Sequence, residues 1–181
     1  MIAQSPAATL DRSLVRSLRS IAGENGVFTD TDRLMAYESD GLTQYRHPPA
    51  AVVLPRNTEE VCAVLRLLHG AGVSFVPRGA GTGLSGGALA VGGSVLVGTS
   101  RMNRILEIDV QNRRARVEPG VVNAHLSAAT LPFGLFYAPD PSSQSACTLG
   151  GNVAENSGGP HCLKYGVSNR YVTGLTVVLP D

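Results

Sequence analysis

The spacing of apolar residues changes several times along the chain, and each change predicts a different element. Residues 51–55 are continuously apolar, which predicts a buried strand. Residues 57–60 read Asn-Thr-Glu-Glu, an N-cap with a glutamate three positions later, and predict a helix that ends at Gly70 or Gly72. One face of this helix carries Val61, Val64, Leu65 and Leu68. With a further strand at residues 73–77, the unit is predicted to be a right-handed crossover between two parallel strands.

A hairpin, a helix and a last strand are predicted in the second half of the chain. Residues 105–109 and 114–118 alternate in polarity on either side of a Gln-Asn-Arg turn, which predicts an antiparallel hairpin. Residues 121–130 are predicted to form a short helix ended by Pro132, and residues 170–179 a final strand. The predicted fold class is α+β, with mixed sheets and flanking helices.

The N-terminal region has an amphipathic pattern with two interpretations. Its apolar positions at helical spacing are Leu10, Leu14, Leu18 and Ile21. Arg12, Arg16 and Arg19, with few acidic neighbours, would also suit a transit peptide, but we favour a helix that packs on the domain. The predicted organisation is a helical segment over residues 1–48, followed by a domain over residues 49–181.

Composition limits the class of protein. With 181 residues, of which 43% are hydrophobic, the chain can bury one core. A net charge of +1 gives no reason to expect a nucleic-acid partner. Cys62, Cys147 and Cys162 lack CxxC spacing, which favours a reducing compartment and argues against a zinc or iron–sulfur site. No apolar run reaches the roughly 18 residues of a membrane span, so a cytoplasmic protein is expected.

Seven of the chain's 21 glycines lie between Gly79 and Gly93. Such a run exposes backbone N–H groups and can adopt positive φ, so it can bind an anion along its main chain. Arg78, Thr82 and Ser85 add a positive charge and two hydroxyls. The run is predicted to bind a phosphate or pyrophosphate, and a flexible surface linker is the alternative.

Both common phosphate-binding motifs are excluded for this run. Gly81-x-Gly83-x-x-Gly86 matches a Rossmann fingerprint, but that fingerprint needs a helix directly after it, whereas residues 94–97 predict a strand. No Gly-Lys-[Ser/Thr] follows the glycines, so the run is not a P-loop. The run is therefore predicted to join one strand to another.

A second polar, glycine-rich stretch covers residues 139–159. Thr148 is predicted to cap a short helix that begins with Gly150 and Gly151, so that backbone amides face a ligand. The neutral donor and acceptor groups that would suit a heteroaromatic ring are Ser142, Ser143, Asn152, Asn156 and Ser157. An ordinary polar loop is the alternative.

Together these motifs resemble the flavin-binding module of the vanillyl-alcohol-oxidase-type oxidoreductases. The resemblance rests on residues 77–83, 139–143, 148–152, 156–159 and 163–166, in this order. Within that group the motifs are similar to those of the family of the glycolate oxidase D subunit, D-lactate dehydrogenase and D-2-hydroxyglutarate dehydrogenase.

The resemblance implies a p-cresol-methylhydroxylase-type (PCMH-type) FAD-binding domain that is incomplete at its C-terminus. It implies that the FAD pyrophosphate binds the first run and that the flavin ring lies near the second stretch. The cofactor-binding residues that it implies are Pro77, Arg78, Gly79, Ala80, Gly81, Thr82, Gly83, Leu84, Ser85, Gly86, Gly87, Pro119, Gly120, Pro139, Asp140, Ser142, Ser143, Cys147, Thr148, Gly150, Gly151, Asn152, Asn156, Ser157 and Gly158.

The function implied by the resemblance is flavin-dependent oxidation of a 2-hydroxy acid of the glycolate or D-lactate type, by hydride transfer to flavin N5. FAD is expected to bind noncovalently, because the first run contains neither His nor Cys, with Cys147 as the one reservation. The hydroxy acid is expected to bind a substrate module that follows this chain. Further oxidase subunits are candidate partners and could bring the protein to a membrane.

No catalytic residue and no metal ligand is assigned from the sequence. His161, beside the second stretch, is the one acid–base candidate, although a loop histidine with a structural hydrogen bond is favoured. The chain by itself is expected to be inactive, with an unpaired strand edge where the rest of the module would pack. The alternatives are another enzyme on the same module, such as an alkyl-transferring synthase or a cell-wall-precursor reductase, and a non-catalytic nucleotide-binding module.

Overall fold

The computed structural model describes residues 10–180 and divides into two compact units. The first unit comprises the chain up to Arg101 and a short segment from Val177, and the second comprises Met102–Thr176. The boundary predicted between residues 48 and 49 lies inside the first unit, where elements from both sides of it share one sheet. No helix within residues 10–180 has the length and hydropathy needed to cross a bilayer.

A four-stranded sheet forms the centre of the first unit. Its strands are β1 (Val27–Phe28), β2 (Ala51–Val53), β3 (Phe75–Arg78) and β4 (Val95–Gly98), in the order β1-β2-β4-β3. β1 is antiparallel to β2, whereas β2, β4 and β3 are mutually parallel. The predicted strand–helix–strand unit is therefore confirmed as parallel, and β4 lies between its two strands.

Both faces of this sheet are covered, which explains the continuous apolar runs of its inner strands. Val53, Val95 and Val97 face a core to which α1 (Arg12–Ala22) and α3 (Thr58–Gly70) contribute. Residues of opposite parity on the same strands, Val52 and Leu96, face a second core that includes Leu34 of α2 (Thr31–Met35). The prediction that the N-terminal helix packs on the domain is confirmed, because Leu18 and Ala22 are fully buried.

Helix α3 begins and ends where its sequence indicates. The Asn57 side chain accepts a hydrogen bond from the amide of Glu60 at 2.9 Å, as an N-cap does. The Glu60 carboxylate accepts hydrogen bonds from the amide and guanidinium of Arg56, which lower the pKa of Glu60. Gly72, at φ +66°, donates its amide to the carbonyl of His69 at 3.0 Å and turns the chain toward β3.

The predicted hairpin is confirmed in the second unit. β5 (Ile105–Asp109) and β6 (Arg114–Val117) are antiparallel, and the Asp109 carboxylate accepts the amide of Asn112 in the turn at 3.0 Å. At the open end, the buried Glu118 carboxylate accepts the Arg104 amide and guanidinium, each at 2.7 Å. The hydrogen bonds from Arg104 lower the pKa of Glu118, so this carboxylate stays ionised where it joins the strand ends.

Three short helices follow the hairpin. They are α4 (Asn123–Thr130), α5 (Leu149–Glu155) and α6 (Cys162–Tyr165). The first of them confirms the helix predicted for residues 121–130. Val121, Leu126 and Leu149 form the core of this unit, and an antiparallel bridge between Val122 and Thr148 joins the starts of α4 and α5.

The strand predicted for residues 170–179 is wrong. Ser168–Tyr171 form a 3₁₀ turn, and residues 172–180 have no regular secondary structure. A strand needs a neighbour for its backbone N–H and C=O groups, and none of the strands in residues 10–180 pairs with this segment. One apolar residue of this segment, Val178, nevertheless packs against the core of the first unit.

Candidate functional site

The first glycine run lies at the carboxyl edge of the parallel sheet. It leaves β3 at Arg78, which is in register with Gly98 at the end of β4. A Cβ atom at Gly98 would lie 2.5 Å from Cδ2 of Leu54, so a larger residue there would require the Leu54 side chain to shift. Ligands of open sheets with parallel strands bind at this edge, because the loops that follow the strands meet there.

Most backbone amides of the run have no acceptor within the described chain. From Gly79 to Gly87, only the Gly86 amide donates a hydrogen bond to another described residue, the Asp40 carboxylate at 3.1 Å. The hydroxyl of Thr99, just after β4, is buried and also has no partner among residues 10–180. These groups are the donors that a pyrophosphate needs, so the run fits the anion predicted for it.

Two glycines of the run, Gly81 and Gly86, have positive φ, of +71° and +82°. At Gly81 a Cβ atom would also lie against the Arg78 guanidinium. Gly83 does not have a positive φ. Positive φ was predicted for the run as a whole, and the structure shows it at particular glycines only.

Arg78 lies inside the run rather than on its surface. Its side chain is 7% exposed, and its guanidinium donates to the carbonyl oxygens of Ala88 at 3.0 Å and Ser39 at 2.9 Å. A longer contact of 3.4 Å reaches the carbonyl of Tyr37, whose ring the guanidinium covers. Burial lowers the pKa of Arg78. The charge predicted to face a phosphate is thus already hydrogen-bonded to three carbonyls.

Asp40 and Gly41, which the sequence did not single out, also contact the run. The Asp40 carboxylate is 6% exposed and accepts the amides of Leu42 at 2.8 Å and Gly86 at 3.1 Å. The Gly41 amide donates to the carbonyl of Gly83 at 2.9 Å. The Asp-Gly pair was readable as a turn signal, but its contact with a loop more than 40 residues later was not.

In the second unit, Thr148 occupies the predicted N-cap position of α5, but its side chain makes no capping hydrogen bond. Its buried hydroxyl has no partner within the described residues. The amides of Leu149 and Gly150 donate to the carbonyls of Val121 and Pro119, both at 2.8 Å. Of the two glycine amides predicted to face a ligand, that of Gly151 remains without an acceptor among residues 10–180.

Pro119 and Gly120 hold the start of α5 close to the hairpin. A Cβ atom at Gly150 would lie 2.6 Å from the Cβ of Pro119, so the two backbones require a glycine at their contact. The Gly120 amide donates to the carbonyl of Met102 at 2.7 Å. The predicted site residues Pro119, Gly120 and Gly150 therefore lie together.

Asn152 belongs to a buried amide network. Its side chain, 4% exposed, donates to the Asn123 side chain at 2.9 Å, and Asn123 donates in turn to the carbonyl of Pro139 at 3.1 Å. Three segments, α5, α4 and the start of the second stretch, are joined by these two bonds. Asn123 had no signal in the sequence, because a polar residue in the first turn of a helix is ordinary.

The polar residues after α5 bond to the 3₁₀ turn that follows. The Asn156 side chain accepts the amide of Asn169 at 3.0 Å, and the Ser157 carbonyl accepts the Ser168 hydroxyl at 2.8 Å. Gly158 is in contact with the chain ahead, since a Cβ atom there would lie 2.9 Å from the Cβ of Cys162. Ser142 and Ser143 lie in the turn before α5, and Cys147 is 3% exposed.

His161 and Asp140 form a hydrogen-bonded pair. Nδ1 of His161 lies 2.5 Å from one Asp140 carboxylate oxygen, and this bond lowers the pKa of Asp140. The other carboxylate oxygen is buried and has no partner within residues 10–180. The imidazole itself is 67% exposed. The pair agrees with the favoured interpretation of His161 as a loop histidine with a structural hydrogen bond.

The described residues hold no cluster of three or more His, Cys, Asp or Glu side chains that could bind a metal ion. The two groups of predicted site residues lie in different units, and each group is contiguous within its own unit. What each offers is chiefly backbone amides, neutral side chains and buried oxygens without partners. A phosphate-bearing heteroaromatic cofactor needs these groups.

Comparison with known families identifies this cofactor. Residues 49–181 match the family described as FAD binding domain. The chain belongs to this family. The flavin-binding resemblance that was inferred from the motifs is thereby confirmed, and FAD is the cofactor that the family binds.

Three relatives are named as oxidoreductases or as a subunit of one. The glycolate oxidase subunit GlcD of Escherichia coli (strain K12) is 52% identical over 170 residues, which cover 93% of this chain and 34% of the relative. D-2-hydroxyglutarate dehydrogenase of Stutzerimonas stutzeri (strain A1501) is 37% identical over a match that covers 93% of this chain and 36% of the relative. D-lactate dehydrogenase of Anaerostipes hadrus is 42% identical over a match that covers 73% of this chain and 28% of the relative. The chain thus spans about a third of the length of these relatives.

Solved structures confirm the fold. An alkyldihydroxyacetonephosphate synthase has a TM-score of 0.86 at 24% identity, with 99% of this chain and 37% of that chain covered. A p-cresol methylhydroxylase has a TM-score of 0.67 at 21% identity, with 86% of this chain and 32% of that chain covered. The PCMH-type α+β fold predicted for the FAD-binding domain is confirmed by these similarities.

Proposed function

We propose that this chain is the FAD-binding part of an oxidoreductase that oxidises a 2-hydroxy acid of the glycolate or D-lactate type. The observation that carries the proposal is the 52% identity to a glycolate oxidase subunit over 93% of the chain. The unpaired amides of residues 79–87 at the carboxyl edge of the sheet support it. When bound, FAD would supply the acceptor, at its N5, for a hydride from the carbinol carbon.

In this proposal each glycine-rich segment binds a different part of FAD. The backbone amides of the first run, with the hydroxyls of Thr82 and Ser85, bind the pyrophosphate. Residues around the flavin ring are Ser142, Ser143, Asn152, Ser157 and Gly158. FAD binds noncovalently, a proposal supported by the burial of Cys147, which is 3% exposed.

The remaining chemistry is proposed to lie outside this chain. Oxidation of a hydroxy acid needs a base for the hydroxyl proton and a cation for the carboxylate. We assign neither to residues 10–180, and place both in a substrate module of the length that the relatives have beyond the matched part. Further oxidase subunits belong to the same proposal, which the name of the glycolate oxidase subunit supports. A cytoplasmic location is proposed with them.

A second candidate is another enzyme built on the same domain, such as an alkyl-transferring synthase. It is supported by the fold similarity to alkyldihydroxyacetonephosphate synthase, including a second structure with a TM-score of 0.84 at 25% identity. A non-catalytic nucleotide-binding module is the third.

The test compares the 181-residue chain with a polypeptide extended to the length of its relatives. We expect the extended polypeptide to show the visible absorption of FAD and to oxidise glycolate or D-lactate at an ordinary rate, on the order of 1–10³ s⁻¹. The chain alone should bind FAD weakly and turn over neither acid, because an incomplete site stabilises the cofactor less.

Each contrary result points to a different error. An extended polypeptide that holds FAD but oxidises no 2-hydroxy acid would favour the second candidate. A colourless protein that still binds nucleotides would favour the third. Turnover by the chain alone would mean that a base lies within it, and His161→Gln would then be the first variant to measure.

A further inference from the structure

The glycine run is held in place by a segment that precedes the matched domain. The segment of residues 37–42, called here the supporting segment, lies before residue 49, where the match to the FAD binding domain begins. Its backbone and side chains make hydrogen bonds to three separate points of the run and its flanks, at Arg78, Gly83 and Gly86.

The three attachments leave the cofactor-facing amides free. The Asp40 carboxylate accepts the Gly86 amide, and the Gly41 amide donates to the Gly83 carbonyl. Arg78 joins the Ser39 carbonyl to that of Ala88, so the beginning and the end of the run are tied to the same segment. The other amides between residues 79 and 87 make no hydrogen bond within the described chain.

The chemistry of Asp40 suits this role, and an asparagine of the same size would not replace it. Its two oxygens accept from two different amides, those of Leu42 and Gly86, and the side chain is 6% exposed. An asparagine would place an NH₂ group opposite one of these N–H donors and lose that bond.

We propose that the supporting segment is part of the FAD site, with Asp40 and Arg78 as positioning residues that hold the glycine run in its binding conformation before FAD arrives. The proposal rests on the binding of FAD by this run. A loop that is already ordered loses less conformational entropy on binding, so its ligand binds more tightly. The functional FAD-binding unit therefore begins before residue 49.

The test is Asp40→Asn in the full polypeptide that contains this chain, with Asp30→Asn as the matched control. Asp30 lies in the same region and caps α2 by accepting the Arg33 amide at 3.2 Å, without contact to the run. We expect Asp40→Asn to raise the Kd for FAD about 10-fold, as for a lost hydrogen bond to a charged group. Asp30→Asn should leave this Kd unchanged.

Hydrogen exchange of the apoprotein separates positioning from general stability. In Asp40→Asn, the amides that the attachments protect, those of Gly41, Leu42 and Gly86, should exchange faster, while those of the β5–β6 hairpin should not. If Asp40→Asn does not fold, Gly41→Ala replaces it, because its Cβ atom would lie 2.7 Å from the Thr82 carbonyl oxygen and 3.0 Å from that of Gly83.

The outcomes distinguish this inference from the proposed function. Unchanged FAD affinity in the folded variant, or unchanged exchange of the amides of Gly41, Leu42 and Gly86, would overturn the role of the supporting segment. A wild-type polypeptide that binds no FAD would overturn the proposed function instead. The exchange of the Gly41, Leu42 and Gly86 amides would then still decide whether Asp40 orders the run.

Discussion

At the scale of single residues, the structure separates glycines that are required from glycines that are merely present. Gly81 combines positive φ with a Cβ position against the Arg78 guanidinium. Gly92, at φ +69°, has nothing within 4 Å of its Cβ position and lies outside the proposed phosphate-binding residues. The two therefore have similar backbone strain and different surroundings.

We expect Gly81→Val to abolish FAD binding. Valine is strained at this φ, and its side chain would displace Arg78 and the loop that Arg78 supports. Bound FAD is measured from the flavin absorption of the purified full polypeptide. Gly92→Val is the control, and it should keep its flavin although it has the same backbone strain. Stoichiometric FAD in Gly81→Val would count against the run as the pyrophosphate site.

At the scale of elements, helix α1 is part of the core although it precedes the matched domain. Leu18 is fully buried with Ala22, in the same cluster as Val53 of β2 and Val95 of β4. The exposed arginines on the outer face of α1 are the residues that made a transit peptide an alternative interpretation of this region. The inner face decides between the two interpretations, because only a packed helix buries it.

Leu18→Ala should lower the free energy of unfolding by about 2–5 kcal/mol, the usual cost of a buried leucine and the cavity it leaves. Arg16→Ala, an exposed change on the same helix, should cost no more than about 0.5 kcal/mol. Urea denaturation followed by circular dichroism measures both. Equal effects of the two substitutions would mean that α1 does not contribute to the core in solution.

At the scale of the whole molecule, a set of ionised carboxylates ties neighbouring segments together. Hydrogen bonds lower the pKa of Glu60 beside Arg56, of Glu118 beside Arg104 and of Asp140 beside His161. A carboxylate whose pKa is lower in the folded than in the unfolded chain stabilises the fold at pH above its unfolded value. That contribution is lost as the pH falls through the folded pKa.

The melting temperature should therefore be level near neutral pH and fall once the pH drops below about 4, the ordinary range of these carboxyls. Differential scanning calorimetry between about pH 7 and about pH 3 measures it. Glu60→Gln should reduce the acid-induced fall, whereas Glu59→Gln, an exposed neighbour, should not. A melting temperature that rises on acidification would contradict the direction of these pKa changes.

Local chemistry was enough to predict several parts of this protein. The strand–helix–strand unit, the hairpin and the packed N-terminal helix follow from residue spacing, because each depends on neighbours a few positions away. The resemblance of the glycine-rich motifs to a flavin-binding family was also evident from the sequence, and FAD was the cofactor that this resemblance implied.

What only the tertiary structure decided depends on contacts between distant positions. The apolar residues 170–179 read as a strand, yet they have no partner strand among the described residues. Thr148 stands at a helix start without capping it, and the amides of the next two residues bond to Val121 and Pro119. Arg78 was predicted to face a phosphate, but in the fold its guanidinium donates hydrogen bonds to the carbonyl oxygen of Ser39 and to other carbonyls. A sequence shows which groups can donate and accept, whereas the fold determines which partners are within reach.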